Sequence, residues 1–307
     1  MRPWIVLTLV VSLIVMCGRE GGEEIAMTGT AMTPEEIDQV RQAMPDEPLI
    51  RPAKTRRILV FSLSWGYKHE SIPWGRTMFR IMAEKTGAFE PVFSDDPAMF
   101  EPESLHRFDA VLFNNTNNEI FLPEDYDSLS VAGQNEADRY DALLKKSFAE
   151  YLAGGGGLAV IHAGVASFRE WPEFGEIIGA RFDNHPWITA TLKKEDPAHL
   201  LVRAFPEDRF EVTDEIYQMK DPWSRERCRV LLSVDTSRTD MTVPGIHRTD
   251  GDFAISWIKT YGKGRVFYCA LGHQKHIFWD RAVLMHLLDG IQFATGDLSC
   301  DVTPVPK

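Results

Sequence analysis

His162 closes an apolar run, Leu158-Ala159-Val160-Ile161, and is followed at once by Ala163 and Gly164. An imidazole at the end of a buried strand can act as general base, general acid or metal ligand near neutral pH. It can equally be a structural histidine satisfied by a backbone carbonyl, and this segment alone leaves both readings open. Comparable residues follow other apolar runs. Trp65, Tyr67, His69, Glu70 and Ser71 come after the first, and Asn114 to Asn118 after the third. Gly272, His273, Gln274 and His276 come after the last. Open α/β sheets bind ligands outside the carboxyl ends of their strands, so these segments are expected to meet at one edge.

Two further groups bear on that edge. His185, in Asp183-Asn184-His185-Pro186-Trp187, either lines the site or shapes the turn before Pro186. Across Phe210–Tyr217, strand alternation sets Thr213, Glu215 and Tyr217 on one face and Asp214 on the other. Glu215 and Tyr217 are the members expected at the site, with Asp214 as a turn or structural partner. His162, His69, His273 and Glu215 are therefore the candidate catalytic groups, and Asn114, His185 and Tyr217 candidate substrate contacts. If a divalent metal is bound, His162, His69 and His273 are its candidate ligands. No HExxH or other tight metal spacing is present, so direct proton transfer stands beside the metal as an alternative. There is no G-x-G-x-x-G, no P-loop and no G-x-S-x-G. The loop Ser64–His69 offers bulk where a dinucleotide's pyrophosphate would need glycine.

The elements that must position these residues alternate. Arg57–Leu63, Phe89–Phe93, Phe108–Phe113 and Leu158–His162 read as buried strands. Helices are expected over 72–85 and over the stretch in which Tyr140, Leu143, Leu144, Phe148, Tyr151 and Leu152 recur at helical spacing. Residues 119–135 read as a long polar loop. The pattern predicts an α/β fold: an open, mostly parallel twisted sheet with helices on both faces. After residue 185, Ile188–Leu192, Phe210–Met219 and Arg229–Val234 read as more exposed strands. Phe253–Tyr261 and Arg265–Leu271 flank Gly262-Lys263-Gly264 as a hairpin, adding antiparallel strands to the C-terminal part. A final helix is expected over 280–295.

The 307 residues, 44% hydrophobic and 25% charged, are ordinary for a globular protein. A net charge of −12 without a basic cluster excludes nucleic acid as a partner. Met1–Cys17 reads as a signal peptide, basic at its start and apolar from Trp4 to Met16. Its end, Leu13-Ile14-Val15-Met16-Cys17, resembles a lipoprotein signal, although a small residue is usual where Met16 stands. The expectation is export to the periplasm or cell surface, with Cys17 as a lipid tether to the membrane. Residues 18–54 read as a linker with a short helix after Thr33-Pro34-Glu35-Glu36, 55–298 as one α/β domain, and 299–307 as a tail. With Cys17 lipidated, Cys228, Cys269 and Cys300 allow at most one disulfide, and Cys269 is expected to be a buried apolar residue.

Several stretches together resemble the ThuA-like (trehalose-utilisation) family. They are Arg57–Phe61 with Gly66-Tyr67-Lys68-His69-Glu70-Ser71; Gly155–Gly164; Trp171-Pro172-Glu173-Phe174 with Gly179-Ala180-Arg181-Phe182 and His185-Pro186; Phe210–Tyr217; and Tyr261–Tyr268 with Leu271-Gly272-His273. The resemblance runs in order over roughly residues 56–296 and implies a class I glutamine amidotransferase-like, flavodoxin-like fold. Where amidotransferases carry a nucleophilic cysteine in a G-x-C-x-G elbow, this chain reads Val160-Ile161-His162-Ala163-Gly164. An imidazole leaves no comparable nucleophile, so glutamine hydrolysis is not expected. Where other members read D-H-P-x-x-W, this chain has Gly251–Trp257 without that histidine and proline. The resemblance implies carbohydrate metabolism, with a glycoside or an oxidised (3-keto) sugar as substrate, and Trp65, Tyr67 and Trp187 offer aromatic faces for sugar rings. The alternative is a non-catalytic sugar-binding or assembly domain, and a homo-oligomer is compatible with either.

Overall fold

The computed structural model describes residues 31–306. The signal-peptide and Cys17 readings fall on residues that lie outside the described residues. In chain order the strands begin β1 (Arg57–Phe61), β2 (Glu90–Ser94), β3 (Ala110–Asn114), β4 (Gly157–Ile161), β5 (Arg181–Asn184) and β6 (Trp187–Lys194). They continue with β7 (Arg209–Glu215), β8 (Gln218–Lys220), β9 (Arg229–Val234), β10 (Ala254–Tyr261) and β11 (Gly264–Cys269). The helices are α1 (Pro34–Ala43), α2 (Ser71–Thr86), α3 (Pro102–Leu105), α4 (Val131–Gly154), α5 (Pro172–Ile178) and α6 (Arg281–Thr295).

Nine strands form one sheet in the order β2-β1-β3-β4-β11-β10-β9-β6-β7, and β5 pairs with β8 in a separate ribbon. From β2 to β11 every neighbouring pair is parallel; from β11 to β7 every pair is antiparallel. This is the amidotransferase-like, flavodoxin-like α/β sheet with added C-terminal antiparallel strands. The central strands β3 and β4 are buried along their whole length, because helices cover both of their faces. One close approach depends on glycine: a Cβ on Gly157, the first residue of β4, would sit 2.3 Å from the Ala294 carbonyl of α6.

Three segments differ from the sequence reading. The short helix expected after Thr33 is present as α1, opened by a capping box of Thr33 and Glu36, but the stretch is no free linker, since Val40 and Met44 are buried in the core. Its apolar side is too sparse to stand out as a periodic pattern, yet it docks. The tail also docks: the Asp301 carbonyl hydrogen-bonds His199 Nε2 at 2.9 Å and the Thr303 carbonyl accepts from Arg229 at 3.1 Å. The stretch Phe210–Met219 is two strands, not one. The chain leaves the large sheet after Glu215, where the Ile216 N–H bonds the Pro186 carbonyl at 2.9 Å, and re-enters pairing in the ribbon. Alternation carries no sign of such a change of sheet. In addition, α4 starts at Val131 with Ser130 as its cap, inside the expected polar loop.

Candidate active site

The carboxyl edge of the parallel strands is held together by polar residues. Asn118 Nδ2 donates to the Trp65 carbonyl at 2.8 Å, and Ser64 bridges to Asn117, so the loops after β1 and β3 form one unit. Asp214, at the end of β7, accepts from the N–H of Gly272 at 2.9 Å and of Gln274 at 3.0 Å. One buried carboxylate thereby fixes the loop after β11, and with it His273. His162 lies just past β4 with φ 48°, a left-handed conformation that a residue with a Cβ adopts at a cost of roughly 1–3 kcal/mol. Gly272 passes so close that a Cβ there would lie 3.1 Å from the His162 Cβ.

These anchors converge three imidazoles. The ring centroids of His69, His162 and His273 form a near-equilateral triangle, 5.2 Å from His69 to His162 and 5.4 Å on the other two sides. Glu215 reaches into it: its Oε2 is 3.3 Å from His162 Nε2 and 3.1 Å from His273 Nδ1, and its Oε1 is 3.6 Å from His185 Nε2. A cavity of about 300 Å³ opens onto the group, lined among others by Tyr67, Asn117, Arg169, Phe182, His185 and Tyr217.

His162 makes the backbone hydrogen bond that a structural histidine would make. Its Nδ1 donates to the Ala270 carbonyl at 2.6 Å, which orients the ring and turns Nε2 toward Glu215. His162 Nε2, His273 Nδ1 and His69 Nδ1 are all buried, and none has a partner in hydrogen-bond geometry. An imidazole oriented by a backbone carbonyl, set with two more beside a carboxylate, is an arrangement that suits a cation. One donor atom from each of His69, His162, Glu215 and His273 lies within 4.8 Å of the others. Ligands roughly 2.1 Å from one zinc-like ion stand about 3.4 Å apart, so the set could hold a divalent metal with small adjustments.

The electrostatics agree with a nitrogen-rich, anion-centred site. Burial, reinforced by His162 and His273, pushes His69 down to about 2, so its imidazole is neutral. Burial also lowers His185. Burial alone would raise the Glu215 carboxyl, but His162 and His273 beside it hold it well below the usual carboxylate range. Burial would lower His273 as well, and Glu215 more than offsets that and raises it.

The expected substrate contacts divide. Tyr67, His185 and Tyr217 line the cavity, Tyr217 with its ring 4.3 Å from that of His162. Trp187 is 59% exposed at the rim, its ring 5.4 Å from that of His273. Asn114 is a correction: its Nδ2 donates to Ser62 Oγ at 3.1 Å and the Ile72 carbonyl at 3.0 Å, pinning the start of α2. Asn117 is the asparagine at the cavity. Trp65 is a second correction. Its indole N–H donates to the Leu122 carbonyl at 2.9 Å, and it lines a different cavity, between the β1 loop and α4. Arg169 and Phe182 went unrecognised, Arg169 because nothing in a polar loop marks which cation folds inward.

A parallel sheet with a histidine at the fourth-strand elbow defines an amidotransferase-like domain that lacks the amidotransferase nucleophile. More narrowly, residues 57–294 match the family described as ThuA, trehalose utilisation, and the chain belongs to that family. Among solved structures, a ThuA-like protein of Bacteroides uniformis is similar at 19% identity and TM-score 0.59, covering 79% of this chain and 94% of that one. A ThuA-like protein of Parabacteroides merdae aligns at 16% identity and TM-score 0.56, covering 81% and 98%. A cytoplasmic protein of Salmonella typhimurium aligns at 14% and TM-score 0.51, covering 77% and 98%. At these identities the likeness is one of fold. No curated protein matches the chain. The expectation of export is corrected here: a protein that shares this fold over nearly its whole length is cytoplasmic, so the periplasmic or surface assignment is withdrawn.

Proposed function

We propose that this protein is an enzyme of carbohydrate metabolism that acts on a glycoside or an oxidised (3-keto) sugar at the His69–His162–Glu215–His273 cluster. The observation that carries the reading is the convergence of three bare, buried imidazole nitrogens on one ionised carboxylate beside a cavity of sugar size. The family's description supplies the substrate class. Glutaminase chemistry is set aside because His162 stands where that reaction needs a thiolate.

His69, His162, His273 and Glu215 would hold a divalent cation, which when bound polarises a sugar oxygen and steadies charge developing on it. The remaining groups act on substrate. Tyr67 and Trp187 flank the opening as faces for a sugar ring, and Asn117 and Tyr217 offer polar atoms to hydroxyls. His185 lines the cavity, is kept neutral by burial, and stands beside Glu215, which favours the imidazolium formed when it accepts a proton. With a 3-keto sugar, His185 would take the acidified C2 proton, the C2 electron pair would form the C1=C2 bond, and the C1–O bond would break. The departing oxygen would then take up the proton that His185 holds, directly or through water, which restores the neutral imidazole. This route does not require the paired flanking carboxylates of an ordinary glycosidase.

The test is turnover of 3-keto and plain glycosides by purified protein, with and without chelator, for wild type and His162→Ala. Turnover that chelator and His162→Ala each abolish is the expected result. No turnover of either class by wild type contradicts the reading. Saturable sugar binding without product, surviving His162→Ala but lost when Tyr67 and Trp187 are replaced, would instead establish a binding domain.

A further inference from the structure

The cavity at the histidine cluster does not end there. Arg169 and Phe182 also line a second cavity of about 380 Å³, whose far wall is made by Arg181 and Lys220. Arg181 of β5 and Lys220 of β8 are direct cross-strand partners in the two-stranded ribbon. Like charges placed opposite each other on one face destabilise a sheet unless something lies between them. Arg169 adds a third cation from the loop that follows the His162 turn. The two guanidinium groups donate to neutral oxygens, Arg169 to the Ala166 carbonyl and Asn117 Oδ1, Arg181 to the Asp221 carbonyl. Two carboxylates, Glu170 and Asp183, line the same recess, Asp183 with His247 Nδ1 at 3.1 Å, so three cations stand there against two acids. In a chain of net charge −12, a recess where three cations from three segments outnumber two carboxylates is a local excess of positive charge.

From this we infer that the second cavity is an anion subsite, and that the substrate or product of the site carries a carboxylate or phosphate on the part lying beyond the reacting ring. The inference rests on the functional reading above and narrows its substrate class to acidic or phosphorylated sugars. Guanidinium groups suit both anions through paired hydrogen bonds, and Lys220 adds a point charge. Phe182 sits between the two cavities and supplies an apolar surface for the ring that spans them.

Calorimetric titration of the full-length protein with glucose, glucuronate and glucose 6-phosphate tests this. At low salt the charged sugars are expected to bind about tenfold or more tightly than glucose, with the advantage shrinking as salt rises. A preference for glucuronate alone would assign a carboxylate, and for glucose 6-phosphate alone a phosphate. Arg181→Gln with Lys220→Gln is expected to erase the preference while leaving glucose binding and metal content unchanged. Should the Arg181 change disturb the ribbon, Lys220→Gln alone, at an exposed position, is expected to reduce the preference by a few-fold. Equal affinity for charged and neutral sugars, absence of binding by all three, or a preference that persists in the double variant overturns the inference. Metal content and glycoside turnover, measured separately, show whether the histidine site itself stands.

Discussion

Asp214 and Glu215 are neighbours with different tasks, because a strand turns successive side chains to opposite faces. Glu215 enters the histidine triangle, while Asp214 turns to the N–H groups of Gly272 and Gln274 and so holds His273 in place. Asp214→Asn is expected to leave the fold intact and to weaken metal retention by roughly 10- to 100-fold, as loss of an orienting partner does; competition against a chelator measures it. Asn114 supplies the converse test. Asn114→Ala is expected to cost about 1–3 kcal/mol in urea unfolding, from the donors and acceptors it leaves bare, with metal affinity and sugar binding unchanged. A change in sugar affinity without loss of stability would return Asn114 to the site. The division between Asp214 and Glu215 was legible because it follows from local geometry. The division between Asn114 and Asn117 was not, since it depends on how closely Gly75 of α2 approaches β3, where a Cβ would lie 2.1 Å from Asn114 Oδ1.

At the scale of elements, the first four parallel strands, β1 to β4, were legible from short apolar runs alone. The break at Ile216–Tyr217 was hidden because both residues are apolar-compatible and buried on either side of it. The packing of α6 on β4 and β11 makes two predictions. Gly157→Ala, which drives a methyl into the Ala294 carbonyl, is expected to destabilise by about 1–3 kcal/mol through overpacking, read from the midpoint of chemical unfolding. His286 of α6 is fully buried, hydrogen-bonded to the Leu201 carbonyl and to Ser256, and pushed by burial from 6.5 down to about 4. The unfolded chain therefore binds this proton more readily than the folded one between those values. Its contribution is fully present above pH 6.5 and is lost as pH falls toward 4, amounting to about 3 kcal/mol. Unfolding curves for wild type and His286→Gln should accordingly converge as pH falls through that window; parallel curves would contradict the assignment.

For the whole molecule, topology does what no single segment can. The end of β7 and the loops after β1, β4 and β11 lie far apart in sequence, yet bring Glu215, His69, His162 and His273 to one edge of one sheet. The edge itself was legible from strand-end polarity. The second cavity was not, because the β5–β8 ribbon that forms its far wall pairs segments with no shared sequence signal. The account stands or falls on whether the bare nitrogens have a common partner. Anomalous scattering from crystals grown with zinc or manganese would decide it. The prediction is a single strong peak within bonding distance of His69, His162, His273 and Glu215, absent from His162→Ala. No peak there, with the histidines hydrogen-bonded to Glu215 instead, would contradict it.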